Sequence, residues 1–356
     1  MEADLSPRVV GEIARGVLDP DSLTPPRINQ LRFHGLAGEA VAVLDPTYAR
    51  NASGKQVDAL LAAGRQQTMR SMLVVAVAEE LAAILEAMGL PVIIYKGPAL
   101  AAQVAGTWRG RGSADVDALV AEGALAEVHS ALIAAGLERK DGHHTAPGPF
   151  LRYRECERTY IGLASPVDLH WRIDSASYFT TSFSELWERR TSVWLASRAV
   201  TTLDPFDALL VTSVHGTRER WSRWRWALDA YRQLAVLSGD DWGEAVTRAR
   251  RSGCLRALAM SLAVANACGL ESPWIPQSAP RWRALATAWL AESSGDMPAS
   301  TAALHRRWGR WQTADTASAA GDGLARATAR QLFPSSRTFT AQGNGPRRHL
   351  GFLGDR

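Results

Sequence analysis

The sequence predicts an α+β fold, a small mixed sheet flanked by an N-terminal and a C-terminal helical region. Three observations carry that expectation. Apolar residues recur at helical spacing in residues 1–90 and again in residues 183–300. Between them, residues 91–182 break into short β-rich runs with one helical stretch among them. At 356 residues and 46% hydrophobic content, the chain can fill a sizeable core.

In order along the chain, "SPRVVGEIARGVL" predicts a helix capped at Ser6, and "GRQQTMRSMLVVAVAEELAAILEAMGL" predicts a long helix stopped by Gly89. The runs "PVIIY", "DVDALV", "RTYIGL" and "PVDLHWRI" read as strands, with the helix "GALAEVHSALIAAG" between the second and third. The stretches "DPFDALLVTSVHGTRERWSRWRWALDAYRQLAVL" and "DWGEAVTRARRSGCLRALAMSLAVANACGL" are again helical, with capping acids at their starts. Residues 301–356 carry nine arginines against three aspartates among Gly, Ser and Pro, and predict a basic, partly irregular extension. There is no internal repeat.

A formal charge of +4 suits phosphate-bearing ligands and falls well short of a nucleic-acid-coating excess. The cations are almost all arginine, so Lys55, Lys96 and Lys140 stand out. Cys156, Cys254 and Cys268 are scattered without paired spacing, which points away from a zinc site or disulfide framework and toward a reducing, cytoplasmic setting. "MEADLSPRVV" lacks the basic start and apolar run of a signal peptide, and the most apolar later stretch is broken by Glu79 and Glu80, so no membrane span is expected.

The chemistry gathers around "DVDALV". On a strand, Asp115 and Asp117 point to one face, about 7 Å apart by strand rise. Like charges on a half-buried strand repel unless a cation or a proton neutralises them, and hard carboxylate oxygens suit Mg²⁺ or Mn²⁺. An edge strand turned to solvent is the other reading of that pair. In "PVDLHWRI", Asp168, His170 and Arg172 share a face, with Val167, Leu169, Trp171 and Ile173 on the other. If the two strands are neighbours, three aspartates converge, enough to hold two metal ions for an in-line displacement at phosphorus.

The ordered set Lys96-Gly97, Arg111, Asp115-Val116-Asp117, Val167-Asp168-Leu169-His170-Trp171, His215 and Trp226-Ala227-Leu228-Asp229 resembles the uncharacterised bacterial nucleotidyltransferase family, within the DNA polymerase beta-like nucleotidyltransferase superfamily. The resemblance is strongest over residues 91–232, and "LFPSS" in the tail is also family-like. It implies transfer of a nucleoside monophosphate, AMP by expectation, from an NTP such as ATP to a hydroxyl or phosphate of an acceptor. A small molecule or natural-product or peptide intermediate is the leading acceptor class, a protein hydroxyl the next and RNA the third. By motif match, Asp115, Asp117 and Asp168 would be the catalytic metal ligands, and Lys96, Gly97, Arg111 and Ser113 would bind the nucleotide. His170, His215 and Asp229 would stand on the acceptor side or support the site. One departure is Gly97-Pro98, where the wider superfamily has Gly-Ser or Gly-Gly, because proline has no N–H for a phosphate.

Plainer readings stand beside these. His170 can be a hydrogen-bonded histidine next to a buried Trp171, and Asp229 can fix an internal salt bridge. His143 and His144 lie in a loop without partner ligands and read as solvent or substrate contacts. One of Arg109 and Arg111 is expected to be merely solvated. Trp221, Trp224 and Trp226 interleave with arginines as a base-stacking surface would, yet residues 221, 224 and 228 form an apolar stripe on one helix, which favours core packing. A non-catalytic nucleotide-binding or scaffolding protein is the rival from another class, and a toxin-type enzyme modifying tRNA or protein is a third. The sequence names neither the acceptor nor the oligomeric state.

Overall fold

The computed structural model describes residues 8–44, 55–174, 179–272 and 280–294. The Ser6 cap, the "LFPSS" run and the basic tail lie outside them.

Five strands form the main sheet: β1 (Ile93–Tyr95), β2 (Val116–Leu119), β3 (Glu138–Arg139), β4 (Glu157–Ile161) and β5 (Val167–His170). Their order is β1-β2-β5-β4-β3, and only the β2–β5 pair is parallel. The "DVDALV" and "PVDLHWRI" strands are thus neighbours, with Asp117 level with Asp168. Thirteen α-helices surround the sheet among the described residues.

Before the sheet come α1 (Arg8–Arg15), α2 (Pro25–Phe33), α3 (Ala37–Val43) and the 33-residue α4 (Lys55–Ala87), which ends where Gly89 takes a left-handed φ of 67°. Within it lie α5 (Gly97–Ala105), α6 (Leu125–Ala134) and α7 (Pro149–Arg154). After it come α8 (Phe183–Arg189), α9 (Pro205–Arg218), α10 (Trp224–Ala235), α11 (Gly239–Arg251), α12 (Leu255–Ala267) and α13 (Pro280–Ser294). Asp204 caps α9 by accepting from the N–H groups of Phe206 and Asp207, and Ser238 with Asp241 forms a capping box on α11.

The strands alternate between two layers. Ile94, Val116, Ala118, Val167 and Leu169 face Val74, Val77, Leu81 and Leu85 of α4 and Val128 and Leu132 of α6 in one buried cluster. Ile93, Tyr95 and Leu119 point the other way, into a second cluster with Leu210 and Val214 of α9 and Leu228 of α10. Each fully buried Leu, Ile or Val there contributes roughly 1.5–3 kcal/mol. Tyr95 is level with Asp117, so the aspartates of β2 and β5 stand on the α9–α10 side of the sheet.

Four expectations need correction. Residues 183–300 are not wholly helical: β6 (Thr191–Trp194) and β7 (Ala199–Thr202) form an antiparallel hairpin. Its turn is held by a residue remote in sequence, Glu79, whose carboxylate accepts from the N–H groups of Ala196, Ser197 and Arg198 at 2.8, 2.6 and 3.0 Å and from the Ser197 hydroxyl at 2.7 Å. Secondly, Trp221 is not on a helix with Trp224. The helix breaks after Arg218, and Arg220 and Trp221 both take left-handed φ (54° and 51°), which lays the Trp221 indole across Gly216. Trp221 and Trp224 are nevertheless buried in the core. Thirdly, β5 ends at His170, and the Arg172 guanidinium turns away to the carbonyls of Arg152, Tyr153 and Glu155. Fourthly, Asp115 precedes β2 and is not one of its residues.

Candidate active site

The centre is Asp117, whose Oδ1 accepts from Lys96 Nζ at 3.0 Å and meets His170 Nε2 at 3.1 Å. The second ring nitrogen of His170 faces Glu157 Oε2 at 3.3 Å. Charges therefore alternate along a row: ammonium, carboxylate, imidazole, carboxylate. Burial alone would raise the Asp117 carboxyl, but the Lys96 charge and the His170 hydrogen bond outweigh it and hold it well below the usual carboxylate range. Burial would likewise lower His170, yet Glu157, Asp117 and Cys156 together lift it to about 9, so the ring carries both protons at neutral pH.

Asp115 and Asp168 behave oppositely. Burial first, and then the charges of Asp117 and Asp168, push Asp115 up to about 6. Burial and the Glu157 charge raise Asp168, partly offset by a hydrogen bond from the Thr159 hydroxyl. Adjacent parallel strands are about 4.8 Å apart, so Asp117 and Asp168, in register, are forced together by the sheet itself. The Asp117 charge thus raises both Asp115 and Asp168, and Asp168 adds to the rise at Asp115, the signature of carboxylates short of positive charge.

Lys96 joins β1 to α5 in an unusual backbone conformation, φ 58° and ψ −158°, a region that residues with a side chain rarely enter. Gly97 follows with φ 42°, and a Cβ there would stand 3.0 Å from the Ser113 hydroxyl. Pro98 lies in the first turn of α5, where backbone N–H groups have no intrahelical partner and its missing donor costs no helical bond. Ser113 itself donates to the Asp115 carbonyl at 3.1 Å.

Arg111, expected on the triphosphate, has its guanidinium forked onto Asp229 instead, with Nε and Nη2 2.7–3.1 Å from the two carboxylate oxygens and both groups buried. His215, on α9, packs edge-on against Trp226 and contacts Arg218. Burial, then the Lys96 and Arg218 charges, hold it neutral, well below its ordinary value. His143 and His144 lie in the loop before α7, with the His144 carbonyl near a ring nitrogen of His129.

Sequence reasoning missed Glu157, Cys156 and Thr159. The antiparallel β4–β5 register sets Glu157 opposite His170 and Thr159 opposite Asp168. The period-2 alternation of "CERTYI" against "VDLH" was the available signal, because residues 157 and 159 occupy one face. Cys156, Glu157 and His170 also offer ligand atoms within 4.8 Å of one another.

The fold and site define an α+β protein that gathers aspartates on one face of a small mixed sheet. Residues 26–269 match the family model described as uncharacterised nucleotidyltransferase, and the chain belongs to that family. Membership supports nucleotidyl transfer as its general activity. No curated protein and no solved structure matches the chain. Among the described residues, no helix is long and apolar enough to cross a membrane.

Proposed function

We propose that the chain transfers a nucleoside monophosphate, AMP from ATP by preference, to a hydroxyl or phosphate oxygen of a small-molecule acceptor. The observation that carries this reading is the β2–β5 register, which sets Asp117 level with Asp168 while both charges act on Asp115. These are hard oxygen donors in a negatively overcharged, half-buried position, a donor set that fits Mg²⁺ or Mn²⁺. Asp115, Asp117 and Asp168 would hold two such ions, whose contribution when bound is to neutralise the triphosphate and the charge developing on the transferred phosphoryl group.

The chain's own groups do the rest. The N-terminus of α5, opened by Gly97, presents backbone N–H groups and the positive end of a helix dipole to phosphate, and Lys96 adds a full charge beside it. His170 fixes the orientation of Asp117 through its Nε2 proton. Asp168 takes the proton of the acceptor hydroxyl as that oxygen bonds to the α-phosphorus. The bond from the α-phosphorus to the α–β bridging oxygen breaks, and pyrophosphate leaves with the electron pair. Arg111 holds the loop that carries Ser113 and Asp115 through its fork with Asp229, and so acts as a positioning residue.

The test is incubation of the protein with labelled NTPs, Mg²⁺ and cell extract, following pyrophosphate release and covalent label. Release that needs Mg²⁺ and is lost in Asp117→Asn is expected. Metal-supported NTP binding without release under any NTP would make the chain a nucleotide-binding protein instead.

A further inference from the structure

Ser113 borders two places. Its hydroxyl would stand 3.0 Å from a Cβ at Gly97, and with Ala114 it lines a cleft of about 720 Å³ whose other walls come from α2, α3, α4 and the start of α10. Lys96, Gly97 and the aspartates are not among the residues lining it, and no acidic residue is. Four guanidinium groups line it: Arg32 from α2, Arg70 from α4, and Arg223 and Arg225 at the start of α10, with Gln66 and Gln67 between.

These arginines are not equally engaged. Arg223 donates to the Phe33 carbonyl at 2.5 Å and stacks 3.9 Å over the Phe33 ring. Arg225 lies 5.7 Å over the Trp226 ring and reaches the Gly112 carbonyl at 3.5 Å, and among the described residues its buried Nε has no hydrogen-bond partner. A buried N–H without an acceptor is destabilising, and a guanidinium crowded by others more so. Burial and the neighbouring Arg111 pull Arg225 down to about 10, as expected of a cation short of negative charge. Ala114 lines the cleft and is the chain neighbour of Asp115, which ties the cleft to the aspartate cluster, and the Arg225 charge acts on that carboxylate.

We propose that this cleft is the acceptor site and that the acceptor is a small molecule bearing a phosphate group, held by Arg32, Arg70 and Arg225 with its nucleophilic oxygen toward the aspartate cluster. Guanidinium forks match phosphate geometry, and a cleft of a few hundred Å³ admits a molecule of about sugar-phosphate or mononucleotide size. The word acceptor rests on the nucleotidyl-transfer reading above; phosphate recognition by the cleft does not.

The test titrates inorganic phosphate into the full-length protein in metal-free buffer by calorimetry, and separately titrates ATP with Mg²⁺. Phosphate is expected to bind saturably, at least tenfold more weakly to Arg32→Ala/Arg70→Ala, and equally to Asp117→Asn. Arg32 and Arg70 are both exposed, so an unchanged melting temperature in the double variant is the fold control. Equal phosphate binding by the wild-type and double-variant proteins would overturn the proposal. A matching tenfold loss of Mg²⁺–ATP affinity in the double variant would assign the cleft to the nucleotide and overturn the acceptor assignment. Displacement of phosphate by a single-stranded RNA oligonucleotide at far lower concentration, abolished by the same substitutions, would replace the small acceptor with nucleic acid. Mg²⁺–ATP binding indifferent to Asp117→Asn would defeat the transfer reading, and with it the acceptor role, while the phosphate result stood.

Discussion

Lys96 Nζ lies 3.0 Å from Asp117 Oδ1, and the lysine pays for that contact with a backbone conformation suited to glycine. Such strain costs of order 1–3 kcal/mol and persists where the surroundings enforce it. Lys96→Ala removes the ion pair and keeps the strain, whereas Lys96→Gly removes both. Thermal unfolding is expected to show Lys96→Gly more stable than Lys96→Ala by about 1 kcal/mol or more, with pyrophosphate release impaired in both. Equal stability would mean that the conformation is not strained.

Arg111 and Asp229 are a buried pair from loop and helix. Breaking one side of such a pair leaves an uncompensated charge, at a cost of about 3–5 kcal/mol. Asp229→Ala and Arg111→Ala should each lower the unfolding free energy by that order, and denaturant titration measures it. If Arg111→Ala instead lost activity with stability unchanged, its guanidinium would belong on the substrate.

The aspartate cluster predicts the opposite pattern. Neutralising one member of a set of repelling carboxylates relieves electrostatic cost, so Asp115→Asn should leave the melting temperature unchanged or raise it. Transfer should fall by about 10²-fold or more, as when a directly acting electrostatic group is removed. A variant that was both destabilised and active would count against the site.

The Glu79 turn carries a pH signature. Burial would raise this carboxyl, but the Ser197 hydroxyl and three backbone N–H groups outweigh it and hold Glu79 below its ordinary value of 4.5. A depressed carboxylate contributes stability that is fully present above the unfolded value and is lost as pH falls through the folded one. The stability difference between wild type and Glu79→Gln, about 1–3 kcal/mol, should be constant at neutral pH and shrink below about pH 4.5. A difference that stayed flat down to pH 3, or grew, would show that the charge is not what holds the turn.

Gly216→Ala should destabilise, although alanine is the better helix former by about 1 kcal/mol. A Cβ at Gly216 would stand 2.6 Å from Trp221 ring atoms, and forcing a buried indole aside costs about 1–3 kcal/mol. Chemical denaturation decides the sign.

The pairing of Asp117 with Asp168 on one face of the candidate site was legible because strand alternation puts each in an apolar run of period 2, and β2 lies beside β5; Asp115, just before β2, follows no such period. What the sequence concealed depends on partners distant along the chain. The β6–β7 hairpin turns around Glu79, more than a hundred residues earlier. Arg111 finds Asp229 across a separation of 118 residues. The break at Arg220 and Trp221 is set by a glycine under an indole, which helical periodicity does not encode. The two-residue β3 is too short to carry a pattern.

The loop between α5 and β2 draws its position from three directions. Ser71 Oγ donates to the Arg111 carbonyl at 2.8 Å, and Gln67 donates to the Gly110 carbonyl. Gly38 of α3 lies so close that a Cβ would fall 2.5 Å from the Gly110 oxygen, while Asp229 of α10 grips Arg111 from 118 residues further along the chain. The first aspartate of the cluster is thus aimed by committee. Substitutions at Gly38, Gln67 or Ser71, none of them an ionisable group of the site, should detune turnover before they unfold the protein.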